Sequence, residues 1–449
     1  MLSLLKSKLH SSLVLSRHPL LSLYSTTTSP QQSSPHFHEL CHLVTSVLGG
    51  LDELEASLDR LKPTMTSTLV TQVIDSCKTE APTRRVLRFF SWARKYPHCQ
   101  VGNKAFNHAI RVFAKKKDIT ALNILIEDFQ KESRVMESET FSVVAEMLVK
   151  MGRENQALGI FKNLDKFKCG QDRIVVTSIV QALCAKGHAK KAEDVVWQHR
   201  KMIYGVEDYA YKSLLYGWCF NGDVKEARRV LTEMTLLNVS PDLFCYNTFL
   251  RCICKRNLKH NLFALVSEAS DVMMEMRSKG IHPNAYSYNI LLSCLGRARR
   301  VKEACGILNS MRSSGCSPDW VSYYLVVRVL YLSGRFGRGN EIVDEMIENG
   351  LMHEPRFYYD LIGVLCGVER VDHAFRLFEL MKKRCMGDYG PVYDLLIPRL
   401  CREGELEKGR QLWDEAIGRG IALQCSSDTL NLPIKEISKP RKNVEEVET

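Results

Sequence analysis

The feature that most constrains this chain is a spacing, because similar segments centred on an aromatic residue recur about every 35 residues. The anchors are Phe106, Phe141, Val176, Tyr211, Tyr246, Tyr288, Tyr323, Tyr358 and Tyr393. Every step between them is 35 residues except the step from Tyr246 to Tyr288, which is 42. A period in this range is the sequence signature of a repeat architecture, in which each repeat is one small supersecondary unit.

The anchors divide most of the chain into nine units. Counted from three residues before each anchor, the units begin at residues 103, 138, 173, 208, 243, 285, 320, 355 and 390, and the last ends at 424. A degenerate unit is predicted at 68–102, where Leu87-Arg-Phe-Phe-Ser-Trp-Ala has helical spacing. A helical leader is predicted at 31–67, and the polar segment 425–449 is predicted to be a disordered tail.

Each unit has the pattern of two helices. Apolar residues at places 4, 7, 8 and 11 form the 3.6-residue stripe of a first helix. Glycine at place 15 is predicted to end that helix in five units, namely at Gly152, Gly187, Gly222, Gly334 and Gly404. A second helix follows, with a small residue such as Ala157 or Ala192 at place 20. One hairpin cannot bury its own stripe but stacked neighbours can, so the predicted fold class is all-α, a solenoid of helix-turn-helix repeats.

The unit at 243–284 is seven residues longer than the others. Seven residues are close to two helical turns, so an insertion of that length keeps an apolar face in phase. We expect the extra residues in the second helix, around Phe263 to Met274, and we expect the stacking to continue past them.

The N-terminus has the composition of a targeting segment. The first acidic residue is Glu39, and Lys6, Lys8 and Arg17 precede it among several Ser and Leu residues. An amphipathic, basic and acid-poor start is typical of an organelle transit peptide. Residues 1–30 are therefore predicted to be a transit peptide for the mitochondrion, with the chloroplast as the alternative, and a tail without any targeting role stays open.

Composition narrows the classes of function. Lys and Arg number 62 against 51 Asp and Glu, which gives a net charge of +11 and suits a polyanionic partner. The sequence contains no run of about 18 apolar residues, so no membrane span is predicted. The 16 Cys do not form CxxC pairs, and most of them lie in apolar segments. They are predicted to be buried free thiols.

Catalytic and metal-binding motifs are missing from the sequence. It contains no HExxH, GxxxxGK[ST], GxSxG or zinc-deaminase signature. Gly334-Arg-Phe-Gly-Arg-Gly339 imitates a phosphate loop but falls at the turn between two helices of one unit. Cys252-Ile-Cys254 lies on a first helix, where alternate residues face different ways. We therefore predict no enzyme activity, no metal and no cofactor.

A family resemblance follows from these residues. Tyr288-Asn-Ile-Leu-Leu, the glycine in mid-unit and the unit ends Ser240-Pro-Asp242 and His282-Pro-Asn284 resemble the pentatricopeptide repeat family. The resemblance covers about residues 68–424. Within the family, the chain is similar to the plain 35-residue subfamily of plant organelle proteins. The tetratricopeptide family has 34-residue units and a different motif. The resemblance implies a right-handed superhelix that binds single-stranded RNA, one base per repeat.

In that family, a base is read by place 5 and by the last residue of a unit. The resemblance therefore implies the pairs Asn107 with Glu137, Ser142 with Asp172, Thr177 with Glu207, Lys212 with Asp242, Asn247 with Asn284, and Asn289 with Asp319. Three of these pairs resemble known combinations, with Ser142/Asp172 suggesting G, Asn247/Asn284 suggesting C or U, and Asn289/Asp319 suggesting U. The predicted footprint contains G-n-n-Y-U. In the last three units the resemblance implies Tyr324 with Glu354, Tyr359 with Tyr389, and Asp394 with Gln424. Lys212, Tyr324, Tyr359 and Asp394 depart from the usual pattern at place 5.

Two further sets of residues complete the predicted RNA site. The place-2 residues Tyr209, Phe244, Tyr286 and Val321 fit a base-stacking role, and a role in the core is an equal alternative. Place 13 is cationic in five units, at Lys115, Lys150, Lys255, Arg297 and Arg402. These cations can bind RNA phosphates, or they can interact with the helix macrodipole, and both roles can hold at once.

Two classes of function follow. The first is a sequence-specific, non-catalytic RNA-binding protein of mitochondria that acts in transcript stabilisation, processing, splicing or translation, together with other RNA-processing proteins. The second is a scaffold for protein–protein interactions, since solenoids also bind partners on their concave face.

Overall fold

The computed structural model describes residues 36–46, 49–61, 63–96, 100–351, 355–384, 389–425 and 430. Within these ranges the chain forms 22 α-helices and a short 3-10 helix, and no strand. The predicted transit peptide lies outside the described residues, as does nearly all of the predicted tail. None of the described helices is long and apolar enough to cross a membrane.

The chain divides into two compact units, an N-terminal unit up to Gly170 and a C-terminal unit from Gln171 onward. The N-terminal unit contains α1 (Phe37–Thr45), α2 (Leu51–Leu61), α3 (Ser67–Cys77), α4 (Thr83–Lys95), α5 (Asn103–Lys115), α6 (Ile119–Lys131), α7 (Ser138–Lys150) and α8 (Glu154–Lys162), followed by the 3-10 helix Leu164–Phe167.

The C-terminal unit continues the alternation of first and second helices. It contains α9 (Arg173–Ala185), α10 (Ala189–Gln198), α11 (Glu207–Asn221), α12 (Val224–Leu236), α13 (Leu243–His260), α14 (Ala264–Ser278), α15 (Ala285–Arg297), α16 (Val301–Ser313), α17 (Trp320–Leu332), α18 (Phe336–Glu348), α19 (Pro355–Gly367), α20 (Val371–Arg384), α21 (Gly390–Arg402) and α22 (Leu406–Gly418). The first helices from α5 to α21 begin within one residue of the unit starts counted from the sequence.

Stacking within each unit follows one rule. Each first helix contacts its own second helix and the next first helix, as in the series α9, α11, α13, α15, α17, α19 and α21 of the C-terminal unit and the series α1, α3, α5 and α7 of the N-terminal unit. This is the side-by-side packing of a solenoid, so the predicted all-α solenoid fold is confirmed.

The anchors of the period form the core. All nine place-4 residues from Phe106 to Tyr393 are buried. Burial of one such ring contributes roughly 1.5–3 kcal/mol, and two of the tyrosines bond a glutamate of the following helix. The hydroxyl of Tyr246 donates to Glu275 at 3.2 Å, and that of Tyr323 donates to Glu345 at 3.0 Å. Each contact ties a first helix to its own second helix.

The leader at 31–67 is itself a helical hairpin. Helix α1 contacts α3, and α2 contacts α4, as the later hairpins do. Arg85 of α4 is buried, and its guanidinium donates to the carbonyls of Leu43 at 2.8 Å and Gly49 at 3.1 Å. The stack therefore begins before the degenerate unit, a feature that the sequence pattern alone did not indicate.

The turn after each first helix uses left-handed backbone. All five place-15 glycines have φ between +75° and +89°. In three other units a non-glycine residue takes the same conformation, at Lys117, Arg299 and Glu369 with φ from +55° to +61°. Eight of the nine units therefore end the first helix in the same way, and only the long unit differs.

The expectation for the long unit was wrong. Helix α13 has 18 residues against 13 in α15, whereas α14 has 15 against 13 in α16. Most of the insertion therefore lengthens the first helix. The reason is at place 15, where Asn257 stays helical, is buried, and donates to the carbonyl of Ala264 at 3.3 Å and to Glu268 at 3.0 Å. The stacking of α13 on α11 and α15 continues, as expected.

The thiols agree with the sequence interpretation. The 14 described Cys are all free, and nine of them are buried. Burial raises the pKa of several of these thiols, including Cys77 to about 12 and Cys366 to about 11. A thiol with a raised pKa carries little thiolate and reacts slowly.

Glycines in α18 provide a test of the packing. A Cβ added at Gly339 would lie 2.4 Å from the ring of Tyr331, which is buried and bonded to Asn340, whereas Gly337 in the same helix has open space. Both substitutions to Ala gain helix propensity, about 1 kcal/mol. We expect Gly337→Ala to melt at or above the wild-type temperature. Gly339→Ala should melt below it, because overpacking costs about 1–3 kcal/mol. Thermal melting followed by circular dichroism decides this, and equal melting of the two variants would contradict the tight α17–α18 contact.

Candidate nucleic-acid interface

The last residue of several units is the N-cap of the next first helix. Its side-chain oxygen accepts the backbone N–H three residues later, which is otherwise unpaired at a helix start. The cap bonds are Asp172 to Val175 at 2.9 Å, Asp242 to Cys245 at 3.0 Å, Asn284 to Ser287 at 3.1 Å, and Asp319 to Ser322 at 2.8 Å. Local capping chemistry therefore fixes where these side chains lie.

Asn289 and Asp319 are brought together by this geometry. The amide nitrogen of Asn289 donates to the two carboxylate oxygens of Asp319 at 3.0 and 3.3 Å. The amide oxygen of Asn289 accepts the hydroxyl of buried Ser322 at 2.7 Å. Asn289 is only 8% exposed, so its amide is held in one orientation. The pair presents one carboxylate and one amide edge at a fixed position.

The same arrangement occurs one unit earlier. The hydroxyl of Ser287 donates to the amide oxygen of Asn247 at 2.7 Å and to that of Asn284 at 3.2 Å. Asn247 is 7% exposed, and its amide nitrogen has no hydrogen-bond partner among the described residues. An amide N–H that the protein leaves unpaired is suited to an external acceptor.

Lys212 and Asp242 form an ion pair with each other. The Lys212 ammonium lies 2.7 Å from Asp242 and 2.8 Å from Asp208. Burial opposes the charged forms, but the two carboxylates outweigh it and raise the pKa of Lys212. Likewise, burial alone would raise the pKa of Asp242, yet the ammonium and the backbone N–H of Cys245 lower it. Lys212 therefore has its positive charge compensated within the protein.

The amide nitrogen and oxygen of Asn107 are both hydrogen-bonded within the protein. It is 0% exposed, and its amide donates to the carbonyls of Asn103 and Val135, both at 2.9 Å. Its oxygen accepts the backbone N–H of Glu137 at 3.0 Å, and the Glu137 carboxylate pairs with Arg111 at 2.7 Å. This asparagine fixes the start of α7, and no part of its amide faces solvent.

The place-5 residues of the other two pairs predicted in the first six units bond within their own helices. The hydroxyl of Ser142 donates to the carbonyl of Ser138 at 2.9 Å, and that of Thr177 donates to the carbonyl of Arg173 at 2.8 Å. Ser142 and its predicted partner Asp172 belong to different compact units. Glu207 begins α11 one residue earlier than predicted and accepts the N–H of Gly205 at 2.7 Å.

Tyr324 and Asp394, which depart from the family pattern at place 5, make contacts within the protein. The ring of half-buried Tyr324 meets that of Phe357 edge-on at 6.4 Å, and its predicted partner Glu354 lies outside the described residues. Asp394 accepts the backbone N–H groups of Gln424 at 2.7 Å and Cys425 at 3.1 Å. Each contact joins residues that are distant in the chain, and the Asp394 carboxylate reaches the backbone of its predicted partner Gln424.

The place-2 residues differ in exposure. Tyr209 and Tyr286 are each 43% exposed, whereas Phe244 and Val321 are half-buried. The guanidinium of Arg251 lies 5.4 Å from the ring centre of Tyr286 and bonds its hydroxyl. An exposed ring beside a cation is suited to stacking a base whose phosphate lies nearby.

The place-13 cations Lys115, Lys150, Lys255, Arg297 and Arg402 are all exposed. Lys150 pairs with Glu146, but the other four have no acidic partner among the described residues. Partial burial lowers the pKa of Lys255, and the neighbouring Arg251 and Arg297 lower it further. Like charges held this close favour a bound anion.

One functional element was missed at the sequence level. Ser287 and Ser322 at place 3 hold both the cap residue and the place-5 amide of the previous unit. The signal was present as Asn284-x-x-Ser287 and Asp319-x-x-Ser322, which are capping boxes. No group of three or more metal-ligating side chains occurs among the described residues.

We expect Ser322→Ala to destabilise the protein by about 1–3 kcal/mol, because it leaves the buried oxygen of Asn289 unpaired. Ser293→Ala, at an exposed position of α15, is the matched control and should be neutral. Chemical denaturation with hydrogen exchange in α15 and α17 measures both variants. Equal protection in the two would show that the serine does not hold the asparagine.

Comparison with known proteins agrees with this geometry. The family model described as the PPR repeat family matches residues 208–255 and 287–331, and the one described as the PPR repeat matches 357–386. A mitochondrial pentatricopeptide repeat-containing protein of Arabidopsis thaliana is 56% identical over 92% of this chain and 85% of its own length. The small ribosomal subunit protein mL104 of Arabidopsis thaliana is 28% identical over 76% of this chain and 65% of its own length.

Among solved structures, the pentatricopeptide repeat protein PPR10 from maize has the same fold. The TM-score is 0.50 at 19% sequence identity, and the match covers 87% of this chain and 59% of that one. The predicted mitochondrial location is confirmed through the 56% identical relative. This chain belongs to the pentatricopeptide repeat family.

Proposed function

We propose that this protein binds single-stranded mitochondrial RNA in a sequence-specific way and acts without catalysis of its own. The observation that carries the proposal is the Asn289–Asp319 pair, fixed by Ser322, with a similar serine-held pair one unit earlier. Five exposed place-13 cations accompany these pairs, and four of them have no acidic partner in the described part of the chain. By covering a transcript segment, the protein would block nucleases or keep the RNA open for splicing, end processing or translation. Binding energy alone can do this work.

The chemistry of the Asn247/Asn284 and Asn289/Asp319 pairs accounts for a pyrimidine preference. An amide N–H donates to a base carbonyl, and a nearby carboxylate accepts only from a donor. Uracil offers an N–H at N3, whereas cytosine has a bare lone pair there, so Asp319 favours U. Asn284 has both donor and acceptor atoms and tolerates C or U. These two adjacent units would therefore bind a C or U followed by a U, written Y-U.

The other units contribute differently to this proposal. The G assigned to Ser142/Asp172 rests on the family resemblance, as does any reading by Thr177/Glu207. We leave Asn107 and Lys212 out of the reading set, because Asn107 has no exposed surface and two carboxylates compensate the charge of Lys212. Stacking is assigned to Tyr209 and Tyr286, with Phe244 and Val321 more deeply packed.

The place-13 cations bind phosphates in this proposal. For single-stranded nucleic acid, the slope of log affinity against log salt is about −0.7 per phosphate neutralised. Lys115, Lys255, Arg297 and Arg402 would each contribute fully, and Lys150 less, because Glu146 competes for it.

A scaffold role within a ribonucleoprotein is the second candidate. It is favoured by the similarity to mL104, a ribosomal protein, and by exposed apolar side chains such as Trp197, Tyr204 and Leu236. Recovery of protein partners without any bound RNA from crosslinked mitochondria would favour the scaffold. A single enriched RNA segment with the predicted footprint would favour RNA binding.

Asp319→Asn tests the uracil assignment. The substitution keeps a good N-cap, so folding should be preserved. Wild-type protein should prefer G-n-n-Y-U over G-n-n-Y-C RNA by about 1–3 kcal/mol, and the variant should bind both about equally in fluorescence anisotropy. Asp242→Asn, the same change at a cap whose partner is Lys212, is the control and should keep the U preference. A preference retained in Asp319→Asn contradicts base reading by this pair.

Lys212→Asn tests the Lys212–Asp242 pair by removing its ion pair. The change places an asparagine amide opposite Asp242, which is the combination found at Asn289/Asp319. We expect a new preference for U immediately before Y-U, about fivefold or more at roughly 1 kcal/mol. Competition among four RNAs that differ only at that base measures it. Lys212→Ala removes the ion pairs without supplying an amide and should gain no preference. If the asparagine variant also gains none, place 5 of this unit does not face a base.

A further inference from the structure

The long unit carries an uncompensated row of cations. Arg251, Lys255 and Lys259 follow one another at intervals of four residues along α13, which places them on one face of the helix. Helix α13 contains no Asp or Glu, and none of the three cations has an acidic partner among the described residues. The row therefore presents three uncompensated positive charges over about two turns.

The insertion is what lengthens this row. Neighbouring α15 and α17 have 13 residues, so their last place is 13, whereas α13 continues to place 18. Lys259 lies at place 17, one turn beyond the cation position that the other units share. The helix macrodipole explains a cation in the last turn, but it does not explain Arg251, which lies more than two turns from the end.

Helix α15 adds charge to the same surface. Helix α15 packs against α13, and its exposed Arg297 contributes to lowering the pKa of Lys255. The other nearby basic side chains, Arg256 and Arg300, are neutralised by Glu268 and Glu303. Among the described residues, the protein thus compensates two of these basic side chains and leaves four without an acidic partner.

An exposed aromatic ring follows the row. Phe263, in the turn after α13, is 89% exposed. The guanidinium of Arg300, the residue before α16, lies 5.8 Å from the centre of this ring. The rest of the ring faces solvent, and Leu262 beside it is also exposed. A largely uncovered ring beside uncompensated cations has the composition of a base-stacking platform.

We propose that α13 and Phe263 form a sequence-independent clamp for single-stranded RNA, with phosphates on Arg251, Lys255, Lys259 and Arg297 and a base stacked on Phe263. The inference rests on the proposed function, which already assigns Lys255 and Arg297 to phosphates, and adds Arg251, Lys259 and the Phe263 ring. The base-reading pairs select the sequence, whereas the clamp would contribute equally to every RNA. It gives the seven-residue insertion a role that the regular units lack.

The double variant Lys259→Ala/Phe263→Ala tests the clamp. Both side chains are exposed, so folding should not change, and circular dichroism checks this. The probes are a G-n-n-Y-U RNA and an oligo(A) of equal length, titrated by anisotropy at several salt concentrations. We expect both affinities to fall by the same factor, about 5- to 150-fold from loss of stacking, and the salt slope to shrink by about 0.7. Lys302→Ala, an exposed cation of α16, is the control and should change neither.

The outcomes separate this inference from the proposed function. If the double variant binds both RNAs with unchanged affinity and slope, while Asp319→Asn still loses its U preference, the clamp is wrong and the proposed function stands. A loss confined to the G-n-n-Y-U probe also overturns the clamp, because it would show sequence reading. If wild-type protein binds neither probe, both proposals fail.

Discussion

The structure depends on one constraint, namely that a single helical hairpin cannot bury its own apolar stripe. Each first helix places its anchor residue, from Phe106 to Tyr393, in the interior, and within each compact unit neighbouring first helices pack side by side. Place 5 follows the anchor directly in the chain and lies about 100° further round the helix. It therefore falls where the packed stripe ends. The register that buries the anchor also decides which residue can face a ligand, so packing and recognition have a common geometric origin.

Helix capping fixes the last residue of the unit in four of the first six predicted pairs. The start of the next first helix needs an acceptor for its unpaired N–H groups, and an Asp or Asn at the end of a unit supplies it. In Asp319 the carboxylate caps α17 and also accepts from Asn289. One side chain thus serves folding and the candidate site together. Replacing it tests recognition cleanly only when the cap is kept, as Asn does.

Identical residue types at the same place behave differently. Asn107 and Asn289 both occupy place 5, yet the first is fully saturated by backbone groups and the second bonds a carboxylate and a serine. The difference comes from the chain that passes nearby, since the carbonyl of Val135 in the turn before α7 reaches Asn107. The period indicates that both residues lie at the same place. It does not indicate which backbone carbonyls approach them, because turn paths depend on contacts between residues distant in sequence.

The sequence by itself determined the repeat length, the two-helix unit and the solenoid fold, because these follow from periodicity, and it indicated the buried thiols through their apolar surroundings. The pairing of Asn289 with Asp319 was implied by the family resemblance, and capping geometry brings the two side chains together. Tertiary structure alone decided three things: the hairpin formed by the leader, the bonding of Asn107 and Lys212 within the protein, and the position of the insertion. The insertion shows the physical reason. Its length kept the helical phase wherever it was placed, so the pattern could not locate it. The burial of Asn257 against Ala264 and Glu268, which keeps place 15 helical, placed most of it in α13.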